Sequence, residues 1–226
     1  MGKLYIVATP IGNLEDITLR ALRILKEVDL VLCEDTRQTK KLLDRYEIKR
    51  PTLSYHQHSK LQKIEQIIEL LRNGKNLALV SDAGTPAISD PGGKLVEEVL
   101  RAFGEEAEII PIPGPSAVIA ACSVSGFPTD KFLFFGFPPH KHGRAAFFRM
   151  VAAAEGTVIF YESTHRILKS LEELRAAAGE RSIAVCRELT KMFETIYRGT
   201  ASEVLEKLKA DTTKGEFVVV VRKKNN

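Results

Sequence analysis

The residues of this chain whose types and spacing suit chemistry lie in a few short polar stretches, each just beyond an apolar run. The longest is in Leu77–Gly93, LALVSDAGTPAISDPGG, where the strand-like run Leu77–Val80 ends in Gly, Pro, Ser, Asp and Thr before a helical pattern opens. Gly84, Pro86, Gly92 and Gly93 let main chain approach a ligand with little side chain between, and Asp90–Pro91 reads as an N-cap followed by a first helical residue. Strand-to-helix loops usually take about two to six residues; this one is longer and carries two Ser–Asp pairs, which favours a bound ligand over a plain connection. Thr9-Pro10-Ile11-Gly12-Asn13, Glu34-Asp35-Thr36-Arg37 and Pro113-Gly114-Pro115-Ser116 share its character. Such loops suit a cofactor held by main-chain groups and helix N-termini.

Elements of two kinds must position these loops. Up to Pro113, strand-like runs (Leu4–Val7, Leu30–Cys33, Thr52–Tyr55, Leu77–Val80, Ile109–Ile112) alternate with helical patterns (Thr18–Val28, Thr36–Tyr46, Lys60–Arg72, Pro91–Phe103). That alternation predicts a parallel sheet with crossover helices, its polar loops gathered at one edge. Ser59 with Gln62 forms a capping-box pattern, and Asn73–Gly74 supplies a stop. After the rigid Pro111–Ser116 turn the pattern changes to strands separated by fewer helices: Phe132–Phe135, Thr157–Tyr161, Ile183–Arg187, Phe193–Tyr197 and Phe217–Val221, with helices near 143–153, 165–178 and 201–209. Thr200 and Glu203 form a capping pair before the last helix. The reading is an α/β protein of two domains, 1–113 with a parallel sheet and 114–226 with a mixed sheet.

Composition excludes several classes. The 226 residues are 44% hydrophobic and 27% charged, with a net charge of +4, so a substantial core is expected and the charge permits an anionic partner without implying a basic nucleic-acid tail. Cys33, Cys122 and Cys186 are odd in number and far apart, which argues against a disulfide framework or a zinc site and for a reducing cytosol. The start carries no apolar signal core and no run reaches membrane-spanning length, so a cytoplasmic protein is expected, with no membrane partner. His56/His58 and His140/His142 have the H-x-H spacing of metal ligands but lack completing Cys or acidic neighbours, and no metal is expected. Neither G-x-G-x-x-G nor G-x-x-x-x-G-K-[ST] occurs, so the usual dinucleotide and P-loop sites are excluded.

Val7–Asp16 (VATPIGNLED), Ser81–Pro86, Ser89–Gly92 and Pro113–Ala117 resemble the tetrapyrrole methylase superfamily. Cys33-Glu34-Asp35-Thr36-Arg37, Tyr161-Glu162-Ser163 with His165-Arg166, and Arg187-Glu188-Leu189-Thr190-Lys191 resemble its ribosomal RNA small subunit methyltransferase I branch. The resemblance implies S-adenosyl-L-methionine as cofactor, held in a cleft between two α/β domains by Pro10, Gly12, Asp82, Ala83, Gly84, Thr85, Pro86, Ser89, Asp90, Pro115, Ser116, Tyr161 and Glu216. It implies methylation of a cytidine 2′-hydroxyl in the 16S rRNA of the small ribosomal subunit, by a homodimer. The same resemblance makes Glu34, Asp35, Arg37, Glu162, Glu188 and Lys191 the candidates for catalysis, since a 2′-hydroxyl is a poor nucleophile and a positioned base contributes about a hundred- to ten-thousand-fold. The sequence does not choose among the carboxylates.

Three departures stand out. Many relatives carry Pro at the place of Thr164, a different triplet where this chain has His56-Gln57-His58-Ser59, and a longer helical C-terminal extension, whereas this chain ends soon after Val221. If that extension holds rRNA elsewhere, the two domains must do so here.

Plainer readings exist for each group. Asp82 or Asp90 serves equally as a helix or turn cap; Glu34 and Asp35 as ion-pair partners of Arg37 or Lys40; Arg187, Glu188 and Lys191 as solvated charges. Lys40, Lys41, Arg45, Lys49 and Arg50, and separately His140, Lys141, His142, Arg144 and Arg149, either meet phosphates or form solvated helix faces. Tyr161 and Phe132–Phe135 are core or stack on a base. Two other functions fit the shared loops: methylation of a small molecule such as a corrinoid precursor, and a silent ribosome-assembly factor.

Overall fold

The computed structural model describes residues 1–55, 61–90 and 92–224, which form two compact units divided after Ser116. In the first, strands β1 (Leu4–Val7), β2 (Leu30–Cys33), β3 (Thr52–Ser54), β4 (Leu77–Leu79) and β5 (Ile109–Ile112) make a wholly parallel sheet in the order β3-β2-β4-β1-β5. Helices α1 (Leu19–Glu27), α2 (Thr36–Arg45), α3 (Leu61–Arg72) and α4 (Gly92–Phe103) alternate with the strands. Successive side chains of a strand point to opposite faces. Val31, Cys33, Ala78 and Val80 accordingly pack with α1 and α2, while Leu32, Leu77 and Leu79 pack with α3 and α4. Burial on both faces explains why these strands are apolar throughout. Pro111 lacks an N–H to donate, and its strand, β5, lies at the sheet edge where that is tolerated.

This topology has a chemical consequence. The connection leaving β2 runs outward to β3, whereas that leaving β4 runs the other way, past β1 to β5. The C-terminal ends of β2 and β4 therefore flank a topological switch point, where open α/β sheets leave a crevice for ligands.

The second unit contains α5 (Ala117–Ser125), β6 (Phe132–Phe134), α6 (Arg144–Ala153), β7 (Thr157–Ser163), α7 (Ile167–Ala178), β8 (Ser182–Arg187), β9 (Thr195–Thr200), α8 (Ala201–Ala210) and β10 (Glu216–Val221). Its sheet is mixed, in the order β6-β7-β10-β8-β9, parallel between β6 and β7 and antiparallel elsewhere. Phe148, Phe160 and Phe217 are fully buried among the apolar faces of α6, α7 and α8. The Thr200 and Glu203 capping box is present in both directions.

Two elements differ from the sequence reading. Helix α5, AVIAACSVS, is absent from it: apolar residues surround the helix, so no amphipathic stripe marks it, and it packs against β8 and β10. Strand β9 begins at Thr195 rather than Phe193 because a turn precedes it, with Lys191 N–H donating to Glu188 O and Glu194 N–H to Lys191 O at 3.0 Å each. Met192 and Phe193 are exposed on that turn, so an apolar run there does not signify a strand. The His56-Gln57-His58-Ser59 stretch, the Ser59–Gln62 pattern, the start of α3 at Lys60 and the role of Pro91 lie outside the described residues.

Candidate active site

In the first unit the loops after β1, β4 and β5 are joined through main chain. Thr9 N–H donates to Gly84 O at 2.9 Å and Gly84 N–H to Thr9 O at 3.0 Å. The Thr9 hydroxyl, buried, donates to Ser81 O at 3.0 Å, and the Ser81 hydroxyl to Ala83 O at 3.1 Å. Gly84 has a φ of +81°, which L side chains rarely adopt. Thr85 Oγ1 donates to Pro115 O at 3.3 Å. A Cβ on Gly114 would come within 2.9 Å of Ala8 Cβ, so only glycine lets the β5 loop lie against β1's end. Pro10 and Pro86 are buried in this floor; Gly12, Asp82, Ala83 and Ser89 are exposed, and Ser116 is half-buried.

Past Pro86 the chain turns sharply. Ala87 and Ser89 hold φ of 73° and 62°, and Asp90 Oδ1 accepts from both Ala87 N–H and Gly92 N–H at 2.7 Å. Asp90 thus does cap this turn, the plainer of its two readings. Ala87, Ser89, Glu188 and Thr190 are four of the five described non-glycine residues with positive φ. Both loops holding them are among those the sequence marks, and strain of this kind gathers at functional sites.

At the switch point three acidic residues, Glu34, Asp35 and Asp82, meet through main chain and side chain. Asp35 N–H donates to Asp82 Oδ1 at 3.1 Å, while Asp82 N–H donates to the Glu34 carboxylate. Burial, then the charges of Asp90 and Asp82, push the Glu34 carboxyl above its ordinary range, outweighing that N–H. Asp35 behaves oppositely. The Arg37 side chain grips it from Nε and Nη2, the Arg37 N–H adds a bond at 2.8 Å, and its carboxyl falls to about 2. Asp35 also caps α2. The expected ion pair with Arg37 therefore belongs to Asp35 and not to Glu34.

In the second unit Glu188, Lys191 and Glu216 form a fixed cluster. Lys191 Nζ reaches Glu188 Oε1 and Glu216 Oε2 at 2.8 Å each, and Glu216 N–H donates to Glu188 Oε1 at 2.9 Å. Burial acts to raise the Glu188 carboxyl, but the Lys191 ammonium and Glu216 N–H outweigh it and hold it below its usual range. Thr164 Oγ1 both accepts from Gly215 N–H at 2.8 Å and donates to Gly215 O at 2.7 Å, fixing the turn before Glu216. Arg187 is not solvated: it is buried and donates to Lys214 O at 2.6 Å and Phe193 O at 3.2 Å.

Glu162 lies apart from this cluster and is enclosed. Its carboxylate meets Arg166 at 2.9 Å and Ser163 N–H at 2.8 Å and accepts from the Ser170 hydroxyl, which itself accepts from Arg144 at 2.8 Å. Tyr161 stacks edge-on with Phe134 at 4.9 Å, and burial raises its phenol against a backbone bond from Val118. All three cysteines are free and buried.

The structure thus brings Glu34, Asp35 and Asp82 together, with Asp90 close enough to act on Glu34's charge, and separately Glu188, Lys191 and Glu216. Thr9 and Ser81 hold the loop that carries Asp82, and Thr164 holds the turn before Glu216. In the sequence Thr9 and Ser81 stand in candidate loops and Thr164 marks a departure from relatives, but none of the three is given this role there. Thr9 and Ser81 are legible in hindsight as hydroxyls directly after apolar strands, whereas the contact of Thr164 is not, because its partner lies 51 residues away.

A parallel sheet with a topological switch point, followed by a mixed-sheet unit, is an architecture shared with solved enzymes. Cobalt precorrin-4 methyltransferase, a cobalamin biosynthetic enzyme, matches with a TM-score of 0.72 at 20% identity over 97% of this chain and 94% of its own. Diphthine synthase matches with a TM-score of 0.75 at 15% identity over 100% and 92%. The family model described as tetrapyrrole (corrin/porphyrin) methylases matches residues 3–205. Within that class, a Thermotoga maritima protein named ribosomal RNA small subunit methyltransferase I is 46% identical over 98% of both chains. Proteins of the same name from Bacillus subtilis and Escherichia coli O157:H7 are 46% and 47% identical, over 100% and 97% of this chain and 77% of theirs. The chain belongs to the ribosomal RNA small subunit methyltransferase I family of tetrapyrrole methylases. No described helix is long and apolar enough to cross a membrane.

Proposed function

We propose that this protein transfers a methyl group from S-adenosyl-L-methionine to the 2′-hydroxyl of a cytidine in the 16S rRNA of the small ribosomal subunit. The observation that carries the reading is identity of 46–47% over at least 97% of the chain to relatives bearing that enzyme's name. Those names favour RNA over a corrinoid precursor, since the corrinoid enzyme shares only the fold at 20% identity.

The first-unit loops fit the cofactor chemically. S-adenosylmethionine, when bound, supplies an electrophilic methyl group on a cationic sulfur. The charges of Asp90 and Asp82 both act against the Glu34 carboxylate at the switch point, and a cation beside it would relieve that repulsion. Pro10, Gly12, Ala83–Pro86, Ser89, Pro115 and Ser116 offer walls made largely of main chain. From the second unit we propose Tyr161 and Glu216 as cofactor contacts, with the Glu188–Lys191 pair as a permanently charged part of the site.

Glu34 is our candidate for the base that accepts the 2′-hydroxyl proton. Its raised carboxyl is the better acceptor, whereas Asp35, held at about 2 by Arg37, is too weak a base and serves to fix the loop. Glu162 we assign to holding α7 against β7, because its carboxylate is enclosed by its own partners. The setting is the cytoplasm, consistent with three free cysteines. A homodimer as working form would extend an RNA-binding surface beyond what a net charge of +4 offers one copy; light scattering tests it. The reaction is tested by methyl transfer with and without small ribosomal subunits. Transfer that depends on the subunits supports the reading, and equal transfer to small acceptors alone overturns it.

A further inference from the structure

The basic residues 37–50 are scattered through two elements in sequence, yet several of them converge. Helix α2 and the segment leading into β3 enclose a surface groove of about 550 Å³ whose walls carry Arg37, Lys40, Lys49 and Arg50 against a single carboxylate, Asp44. Over the whole chain Lys and Arg number 33 against 29 Asp and Glu, so the lining of this groove is more basic than the chain as a whole. Lys41 and Arg45, although adjacent in sequence, do not line it, and Lys41 is turned to Gln38 at 2.9 Å. The walls are tied by hydrogen bonds. Glu47 takes a left-handed φ of 54°, Ile48 N–H donates to Leu43 O at 2.9 Å, and Arg50 donates to Lys26 O, fastening the segment to the end of α1.

Two features point to an extended anion. Arg37 is committed to Asp35 and Arg50 to a carbonyl, but Lys40 and Lys49 form no ion pair among the described residues. The groove also begins at Thr36 and Arg37, directly after Glu34 and Asp35, so its charge continues from the switch point along α2. The other basic cluster offers less: Arg144 is buried and bound to Glu173, Ser170 and Pro139.

We propose that the α2–β3 groove holds the sugar–phosphate backbone of a single-stranded RNA segment flanking the target nucleotide, with Lys40 and Lys49 contacting phosphates and Arg50 adding fixed positive potential, whereas the charge of Arg37 is offset by Asp35. The identity of the polymer as RNA rests on the function proposed above. Such contacts track the backbone without reading bases and depend on salt.

The test uses the full chain and its Lys40→Gln/Lys49→Gln variant, with a labelled single-stranded RNA oligonucleotide titrated at several KCl concentrations. Removing one lysine–phosphate interaction makes the slope of log affinity against log salt shallower by about 0.7 for single strands, so the slope of the double variant should be shallower by about 1.4. Its KM for small ribosomal subunits should rise several-fold, Lys40→Arg/Lys49→Arg should keep the original slope, and S-adenosylmethionine affinity by calorimetry reports an intact fold. An unchanged slope and KM in the double variant overturn the groove. Absence of methyl transfer by the parent protein, with the slope still falling in the variant, contradicts the proposed reaction and leaves the groove standing.

Discussion

The backbone N–H of Asp35 donates to Asp82 Oδ1 at 3.1 Å, fastening the end of β2 to the loop after β4 across the switch point of the first sheet. Residues 47 positions apart in sequence are so held together. Replacing Asp82 by Ala removes this acceptor and one of the carboxylates facing Glu34. A hydrogen bond to a charged group is worth about 1.5–3 kcal/mol, so S-adenosylmethionine affinity measured by calorimetry should fall by roughly tenfold or more, with the fold intact by circular dichroism.

Glu34→Gln separates catalysis from binding. If Glu34 accepts the proton, kcat at saturating cofactor should fall by about a hundred- to ten-thousand-fold, over and above the loss of cofactor affinity that removing its charge causes, and the rise of parent activity with pH through the elevated Glu34 value should vanish.

Stability should respond to the same substitution in the opposite sense. A carboxyl raised above its unfolded value of 4.5 binds its proton more tightly in the folded state. Its stability contribution is complete below 4.5 and is lost as pH rises through the folded value. Glu34→Gln removes that loss, so thermal melting at pH 7 should shift upward for an enzyme that has become inactive; a downward shift would show that Glu34 stabilises the loops.

Gly84→Ala probes the main-chain wall. The added Cβ would lie 3.4 Å from Ile11 Cγ2 and 3.8 Å from Pro115 O, which are tolerable contacts, but at a φ of +81°. Left-handed backbone costs an L residue about 1–2 kcal/mol. Urea unfolding should report that loss, and cofactor affinity should drop more than stability explains, because the bridge to Thr9 shifts with the glycine.

Glu162→Ala should instead destabilise the second unit. Removing one partner of a buried ion pair costs about 3–5 kcal/mol, and Arg166, with its side chain 16% exposed, would be left without its carboxylate. The midpoint of urea unfolding should fall accordingly, while kcat per folded molecule falls far less than in Glu34→Gln.

Much of the fold is legible because burial dictates residue type. Leu4–Val7, Leu30–Cys33 and Ile109–Ile112 coincide with observed strands because each is a short apolar run, with a polar or turn residue at or just beyond its end. Helix α5 escapes because its residues are apolar on every side, and the start of β9 because Met192 and Phe193, exposed on a turn, imitate a strand. The site divides similarly. Sequence brings Glu34 and Asp35 into view, yet only the fold sets Asp82 and Asp90 beside Glu34 and commits Arg37 to Asp35, and those neighbours make the two acids unlike. Glu162 stands in a motif with Tyr161 and Ser163, but its enclosure by Arg166 and Ser170 depends on how α7 returns to β7.

The most direct measurement supplies S-adenosylmethionine carrying an isotopically labelled methyl group to small ribosomal subunits that lack this modification, digests the 16S rRNA to nucleosides and identifies the labelled one by mass. Label in 2′-O-methylcytidine, abolished by Glu34→Gln, is the predicted result. Calorimetry that shows cofactor binding, with no label entering any ribosomal particle or free rRNA, would contradict RNA as the substrate.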